Sequence, residues 1–333
     1  MDLVKAEILF SRKCNLGCKH CAMVTKESNS LSIEEWKAGF DNLKKLGCTF
    51  SAFYGAEPFI EFNKLKVVLP YAESIGIHTT VITSGTRIPD FHKKLKELYT
   101  AGGKSLSMSY DPMPYDASSE LKRDSALKSL KYWKTFPDIR DAAAIVTLTA
   151  KNFHLLPAMV QQMSDLGIWT FYDLIHEDRG MPGTKCKGKG GNLMFKDHQI
   201  EKLLDVLTLV NNMRKNGFLV HNSENFLEQL QFMYSFAPDI YHWCCARSSA
   251  IFPSWLTIDC DGTVLPCDDF HITREFKFHN DLDSWWPKCI SVFREEIKEK
   301  ECSCCWNTHL SAHFIKAEQE RISDYIHGVM SNV

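Results

Sequence analysis

Near the start of the chain, Val4 to Phe10 (VKAEILF) reads as a β-strand. Short β-rich runs then alternate with helical stretches. Ser32 starts a helix, with Glu35 three residues on completing a capping box and Gly47 ending it. Further strands are predicted over Thr49 to Tyr54, Ile77 to Thr83, Leu106 to Tyr110, Ala142 to Thr149 and Ile168 to Ile175. The helices between them are predicted over Asn63 to Ser74, Pro89 to Ala101, Ser119 to Thr135 and Leu156 to Leu166. Six βα-type units within about 175 residues predict an α/β fold on a parallel sheet, either doubly wound or curled into part of a barrel.

Beyond this the pattern changes. Gly180 to Gly191 is a Gly/Lys loop, and Asp197 to Lys215 and Asn225 to Ser235 read as helices. From Trp243 onward the sequence is dense in cysteine. Asp261-Gly262 marks a hairpin between Trp255 to Ile258 and Thr263 to Leu265. The expected organisation is a β/α unit over 1–190, connecting helices over 191–240 and a smaller hairpin-plus-helix domain over 241–333.

The length of 333 residues is enough for two domains. With 44% apolar and 24% charged residues, a disordered chain is excluded. The 39 basic and 41 acidic side chains give a formal net charge of −2, which argues against a general nucleic-acid binder. No window approaches the ~18 apolar residues of a membrane span, and the charged N-terminus is not a signal peptide. A cytoplasmic location is expected. There, 13 cysteines do not form a disulfide framework, and an odd number cannot fully pair. Metal binding or catalysis is the better use for them.

Three of them, Cys14, Cys18 and Cys21, form C-x3-C-x2-C directly after the first strand, on a loop opened by Gly17. Three thiolates within eight residues can hold three irons of a cubane cluster and leave the fourth without a protein ligand. Structural zinc sites are closed by four ligands, so zinc requires a fourth donor such as His20.

On this motif (CNLGCKHC) and its place before a six-unit β/α half, the chain resembles the radical S-adenosylmethionine (radical SAM) superfamily. The resemblance implies a partial (β/α)6 barrel carrying a [4Fe–4S] cluster on Cys14, Cys18 and Cys21. It also implies S-adenosylmethionine bound across the strand ends. Gly55, Ala56, Glu57 and Pro58 stand where the family has Gly-Gly-Glu-Pro to grip the methionyl amino group, Ala56 replacing the second glycine. Thr83 and Ser84 stand near the ribose and methionine in the family pattern. Ser109 and Asp111 match a Ser-x-Asp, and Arg123 follows where a carboxylate-binding arginine is found. The implied chemistry is chelation of S-adenosylmethionine by the unique iron, one-electron cleavage to a 5′-deoxyadenosyl radical, and hydrogen abstraction from a substrate. A small carrier such as flavodoxin or ferredoxin is implied as electron donor.

Cys245, Cys267, Cys302 and Cys305 resemble the family's SPASM/twitch extension, which holds an auxiliary cluster, here a second [4Fe–4S]. Cys244 competes with Cys245 and Cys304 with either member of the C-x2-C pair. Zinc is the rival, because hairpin and C-x2-C cysteines also describe a zinc ribbon. Cys48 and Cys289 are expected to pack as small hydrophobes.

Three functional readings follow. The first is hydrogen abstraction from a small polar metabolite, with oxidation through the auxiliary cluster. The second is cross-linking of a ribosomal peptide. Only thirteen residues precede Cys14, so no leader-recognition module is expected there, which favours the metabolite. The third is a non-catalytic iron–sulfur or zinc module. No membrane or nucleic-acid partner is expected. The loop lysines Lys185, Lys187 and Lys189 are candidates for an anionic substrate. His176, Glu177, Asp178, Arg179, Asp268 and Asp269 are candidate proton carriers.

Overall fold

A computed structural model describes residues 3–18, 21, 30–113, 117–175, 191–193, 195–222, 255–265 and 276–299. The first strand, β1 (Lys5–Ser11), is buried along nearly all its length, as a strand covered on both faces must be, and its buried Glu7 is paired with Lys5 at 2.8 Å. Helix α1 (Ile33–Lys45) begins with the expected capping box. Ser32 Oγ accepts from the Glu35 amide, and the Glu35 carboxylate accepts from the Ser32 amide at 2.8 Å. The alternation continues through β2 (Phe50–Gly55), α2 (Phe62–Ser74), β3 (His78–Thr83), α3 (Phe91–Ala101) and β4 (Ser105–Ser109). It runs on through α4 (Ala117–Trp133), β5 (Asp141–Leu148), α5 (Leu156–Asp165) and β6 (Trp169–Leu174). Then come α6 (Asp197–Lys215), β7 (Trp255–Ile258), β8 (Val264–Leu265) and α7 (Leu282–Glu299).

Strands β1 to β6 pair in parallel and in chain order. A doubly wound sheet reverses its strand order partway across. This one does not, so successive crossovers of one hand advance the same way and give a partial barrel. The hairpin extends that same sheet. β7 pairs parallel with β1 from Lys5–Trp255 to Ile8–Ile258, and β8 returns antiparallel, giving the order β6-β5-β4-β3-β2-β1-β7-β8. The expected boundary at 241 therefore does not interrupt the sheet. At the opposite edge, residues beyond α6 lie along β6, where the Thr170 amide donates to the Leu219 carbonyl at 2.8 Å and His221 donates to Thr170 at 2.9 Å.

Aromatic packing joins the barrel to the segment after the hairpin. Trp36 and Phe40 on α1 pack against Phe10 and Phe53 of the sheet and against Phe278. Gly39 leaves the room this needs, since a Cβ there would lie 2.2 Å from the Phe278 ring. Asn42 then donates to the carbonyls of Phe278 and Asn280 at 2.8 and 2.7 Å. Cys48 and Cys289 are buried as expected. No described helix is long and apolar enough to cross a membrane.

Candidate cofactor site at the strand ends

Parallel β/α sheets build their sites at the carboxyl ends of the strands, here at Ser11, Gly55, Thr83 and Ser109. Gly55 lets β2 turn against β1. Its φ is +119°, and a Cβ there would meet the Ser11 carbonyl oxygen at 2.5 Å, so only glycine fits. The next amide, Ala56, donates to that same carbonyl at 2.9 Å. Ala56 has no left-handed backbone, which explains why alanine is admitted where the family pattern has its second glycine.

Glu57 is fully buried. Its Oε1 accepts from Thr83 Oγ1 at 2.6 Å and from the Phe59 amide at 3.2 Å. Its Oε2 accepts from Ser84 Oγ at 2.8 Å and from the Ser84 amide at 3.0 Å. Three expected site residues thus meet in one network, their side chains holding one another. Burial outweighs the four donors and raises the Glu57 pKa. Pro58 opens the one-turn helix that follows.

The cysteine loop leaves the end of β1 beside this network. Asn15 Nδ2 donates to the carbonyls of Thr86 and Arg87 at 2.8 and 3.0 Å, fastening the loop to the turn after β3. Arg12 and Asp259 fasten it to the turn after β7. Arg12 Nε donates to Asp259 Oδ1 at 2.9 Å and Nη2 to Oδ2 at 2.7 Å, a bidentate pair that is buried. Burial raises the Cys14 thiol pKa, the Leu16 amide at 3.4 Å partly offsets this, and Glu57, Cys18 and Cys21 add to it. Burial likewise raises Cys18, opposed by the Lys122 ammonium and reinforced by Cys21.

The three thiols are therefore neighbours in charge range. Among the described residues, no three His, Cys, Asp or Glu side chains converge closely enough to hold a single metal ion. A donor set of three cysteine thiols on one loop fits a cluster that takes each thiolate on a different iron.

Ser109 ends β4 and is half-buried. Arg123 lies on the outer side of α4, pairing with its neighbour Asp124 at 3.0 Å. The cation that turns inward is Lys122, 3.5 Å from Asp111 Oδ2 and facing the Cys18 thiol. The sequence contained a signal for this. Ser119, Lys122, Ala126, Leu130 and Trp133 follow helical spacing and are all buried, so Lys122 occupies the apolar stripe that Arg123 misses by one position. The Arg12–Asp259 pair had no such signal. Cys245, Cys267, Cys302 and Cys305, their competitors Cys244 and Cys304, the helix at 225–235, the loop lysines, His176 to Arg179, Asp268 and Asp269 lie outside the described residues.

These features define a partial β/α barrel with a three-thiol loop at its mouth. Residues 8–167 match the profile of the Radical SAM superfamily. This segment, just under half of the chain, thus resembles the radical SAM superfamily, whose cofactors are a [4Fe–4S] cluster and S-adenosylmethionine. Fe-coproporphyrin III synthase of Methanosarcina barkeri is 38% identical over 185 residues, covering 51% of this chain and 44% of that protein. PqqA peptide cyclase of Bradyrhizobium diazoefficiens is 24% identical over 162 residues, covering 47% and 42%. The match thus spans less than half the length of these two curated relatives. Among solved structures, SuiB of Streptococcus suis bound to S-adenosylmethionine has the same fold, with a TM-score of 0.67 at 18% identity over 89% of this chain and 68% of that one.

Proposed function

We propose that the protein is a radical SAM enzyme acting on a small polar molecule. The observation carrying this reading is the three-thiol loop held against the Glu57–Thr83–Ser84 network at the barrel mouth. Cys14, Cys18 and Cys21 would hold the cluster, and the Leu16 amide would hydrogen-bond the Cys14 sulfur. When bound, the cluster and S-adenosylmethionine supply one-electron chemistry that ends in hydrogen-atom abstraction from substrate carbon.

The remaining residues bind and orient. The backbone of Gly55 and Ala56 would accept the methionyl ammonium, because Glu57 is engaged from Thr83 to Phe59 and acts by fixing the turn. Pro58 stiffens that turn. Thr83 and Ser84 would line the ribose side, and the Ser109 hydroxyl would be available to the methionyl carboxylate. Arg123, with Asp124 beside it, would reach that carboxylate from the rim. Cys245, Cys267, Cys302 and Cys305 would hold an auxiliary cluster able to take the second electron of a dehydrogenation. Flavodoxin or ferredoxin would supply the separate electron that reduces the cluster on Cys14, Cys18 and Cys21, while the first oxidising equivalent leaves the substrate with the abstracted hydrogen atom.

The small-molecule reading is supported by the similarity to a porphyrin-forming synthase, the more identical of the two curated relatives. A peptide substrate is the second reading, favoured by the similarity to a peptide cyclase.

Iron and sulfide content after anaerobic reconstitution tests the assignment. The wild type is expected to bind roughly eight irons, and a Cys14/Cys18/Cys21→Ala variant about four. Reduction with S-adenosylmethionine should yield 5′-deoxyadenosine only in the wild type. A wild type that takes up zinc and no iron overturns the reading.

A further inference from the structure

The cysteine loop leaves β1 after Ser11 and rejoins the fold at Ser32, the cap of α1. Both of its described ends meet the same turn, at the two residues that follow β7. At the start, Arg12 donates from Nε and Nη2 to the two carboxylate oxygens of Asp259 at 2.9 and 2.7 Å. At the end, the Leu31 amide donates to the Cys260 carbonyl at 3.0 Å. The turn is itself fixed. Asp259 Oδ1 also accepts from the Cys260 amide at 2.8 Å. The Asp259 amide donates to the Thr263 carbonyl and the Gly262 amide to the Asp259 carbonyl, both at 2.8 Å. Gly262 lies so close that a Cβ there would be 3.0 Å from Leu31 Cδ1.

Resting on the cluster reading above, we infer that Asp259 is a positioning residue. Acting through Arg12, it sets where the three-thiol loop stands against the Glu57 turn, so that cleavage of S-adenosylmethionine requires the β7–β8 turn to be docked. Pairing of β7 with β1, from Lys5–Trp255 to Ile8–Ile258, already holds the hairpin to the sheet. A buried ion pair adds little net stability over apolar groups of the same size. What the bidentate geometry adds is a fixed distance and orientation. The loop's other tether, Asn15 to the carbonyls of Thr86 and Arg87, holds it to the turn after β3. One tether would leave a hinge, whereas two on different turns define a position. Reacting groups displaced by about 1 Å can lose about a hundredfold in rate, so that position bears on the chemistry.

Asp259→Asn tests this, because its NH2 group confronts a guanidinium or amide donor whichever way it turns. The control is a matched pair at the other end of the barrel. Arg140 donates to both Glu73 oxygens at 3.0 and 2.8 Å, with side chains 18% and 14% exposed against 5% and 12% for Arg12 and Asp259. Hydrogen exchange is read on the full chain before reconstitution. The EPR change on adding S-adenosylmethionine, and kcat and KM for 5′-deoxyadenosine formation, are read after it at matched iron content. Asp259→Asn is expected to speed exchange across residues 12–18 about tenfold and to lower kcat about ten- to a hundredfold. Arg140→Met should lower the thermal midpoint comparably while leaving both readings within about twofold of wild type.

The double variant Arg12→Met/Asp259→Leu removes both buried charges and keeps the question open to test should Asp259→Asn fail to fold. Its thermal midpoint should return close to wild type, while loop exchange stays fast and kcat stays low. Unchanged loop exchange in Asp259→Asn overturns the inference. So does an equal effect of Arg140→Met, or a double variant that regains wild-type loop protection and kcat. A wild type that binds no iron fails the cluster reading itself, whereas the exchange measurement, made without iron, still decides the clamp.

Discussion

Replacing Glu57 with glutamine probes whether the barrel mouth depends on its buried network. Each carboxyl oxygen faces one hydroxyl and one backbone amide, Thr83 Oγ1 and Phe59 N on Oε1, and Ser84 Oγ and Ser84 N on Oε2. A hydroxyl can reverse its role and accept, but a backbone N–H cannot. Whichever way the glutamine amide is turned, its NH2 group therefore confronts a backbone donor. One hydrogen bond is lost and one buried N–H is left unsatisfied, a cost of about 2–4 kcal/mol.

With a urea m-value of about 3 kcal/mol per molar, the unfolding midpoint should fall by roughly 1 M. The assay is urea unfolding followed by circular dichroism under argon, at matched iron content. A further signature comes from pH. Burial raises the Glu57 pKa despite its donors. The stability linked to that shift is therefore fully present below the unfolded carboxylate value of about 4.3 and is lost as pH rises through the folded value. The gap between wild type and variant should narrow as pH rises. A Glu57→Gln midpoint equal to that of wild type refutes the account, because it would show that the four donors are satisfied elsewhere.

Two other substitutions follow from the same geometry. Arg12→Met leaves Asp259 buried without its bidentate partner, and should cost about 3–5 kcal/mol. Hydrogen exchange should accelerate across residues 255–265, and unchanged protection there would mean that β7 is held by β1 alone. Gly55→Ala forces a Cβ to within 2.5 Å of the Ser11 carbonyl at a φ of +119°, which should lower stability by at least about 2 kcal/mol. Ala56→Gly should cost less than about 1 kcal/mol, and equal thermal shifts for these two variants would contradict the turn geometry.

The sequence alone carried whatever depends on near neighbours. Alternating strand and helix signals located the six β/α units, Ser32 and Glu35 wrote the start of α1, and Asp261-Gly262 marked the hairpin. The spacing of Cys14, Cys18 and Cys21 pointed to a cluster loop, because donors within one eight-residue span are local. Helical phase on α4 also held the information that Lys122, not Arg123, faces inward.

Strand order was different. Parallel β/α units read alike in doubly wound and barrel folds, and only the monotonic pairing of β1 to β6 separates the two. Nor could local pattern show that β7 would add to β1, since any edge strand offers the same backbone donors and acceptors. The Arg12–Asp259 pair joins residues 247 apart, and Glu57 reaches 26 residues to Thr83. Charge and hydrogen-bond partners at such separations are chosen by the packing of the whole sheet. Residue type can say that a buried arginine or glutamate needs a partner, but only the tertiary structure decides which one it meets.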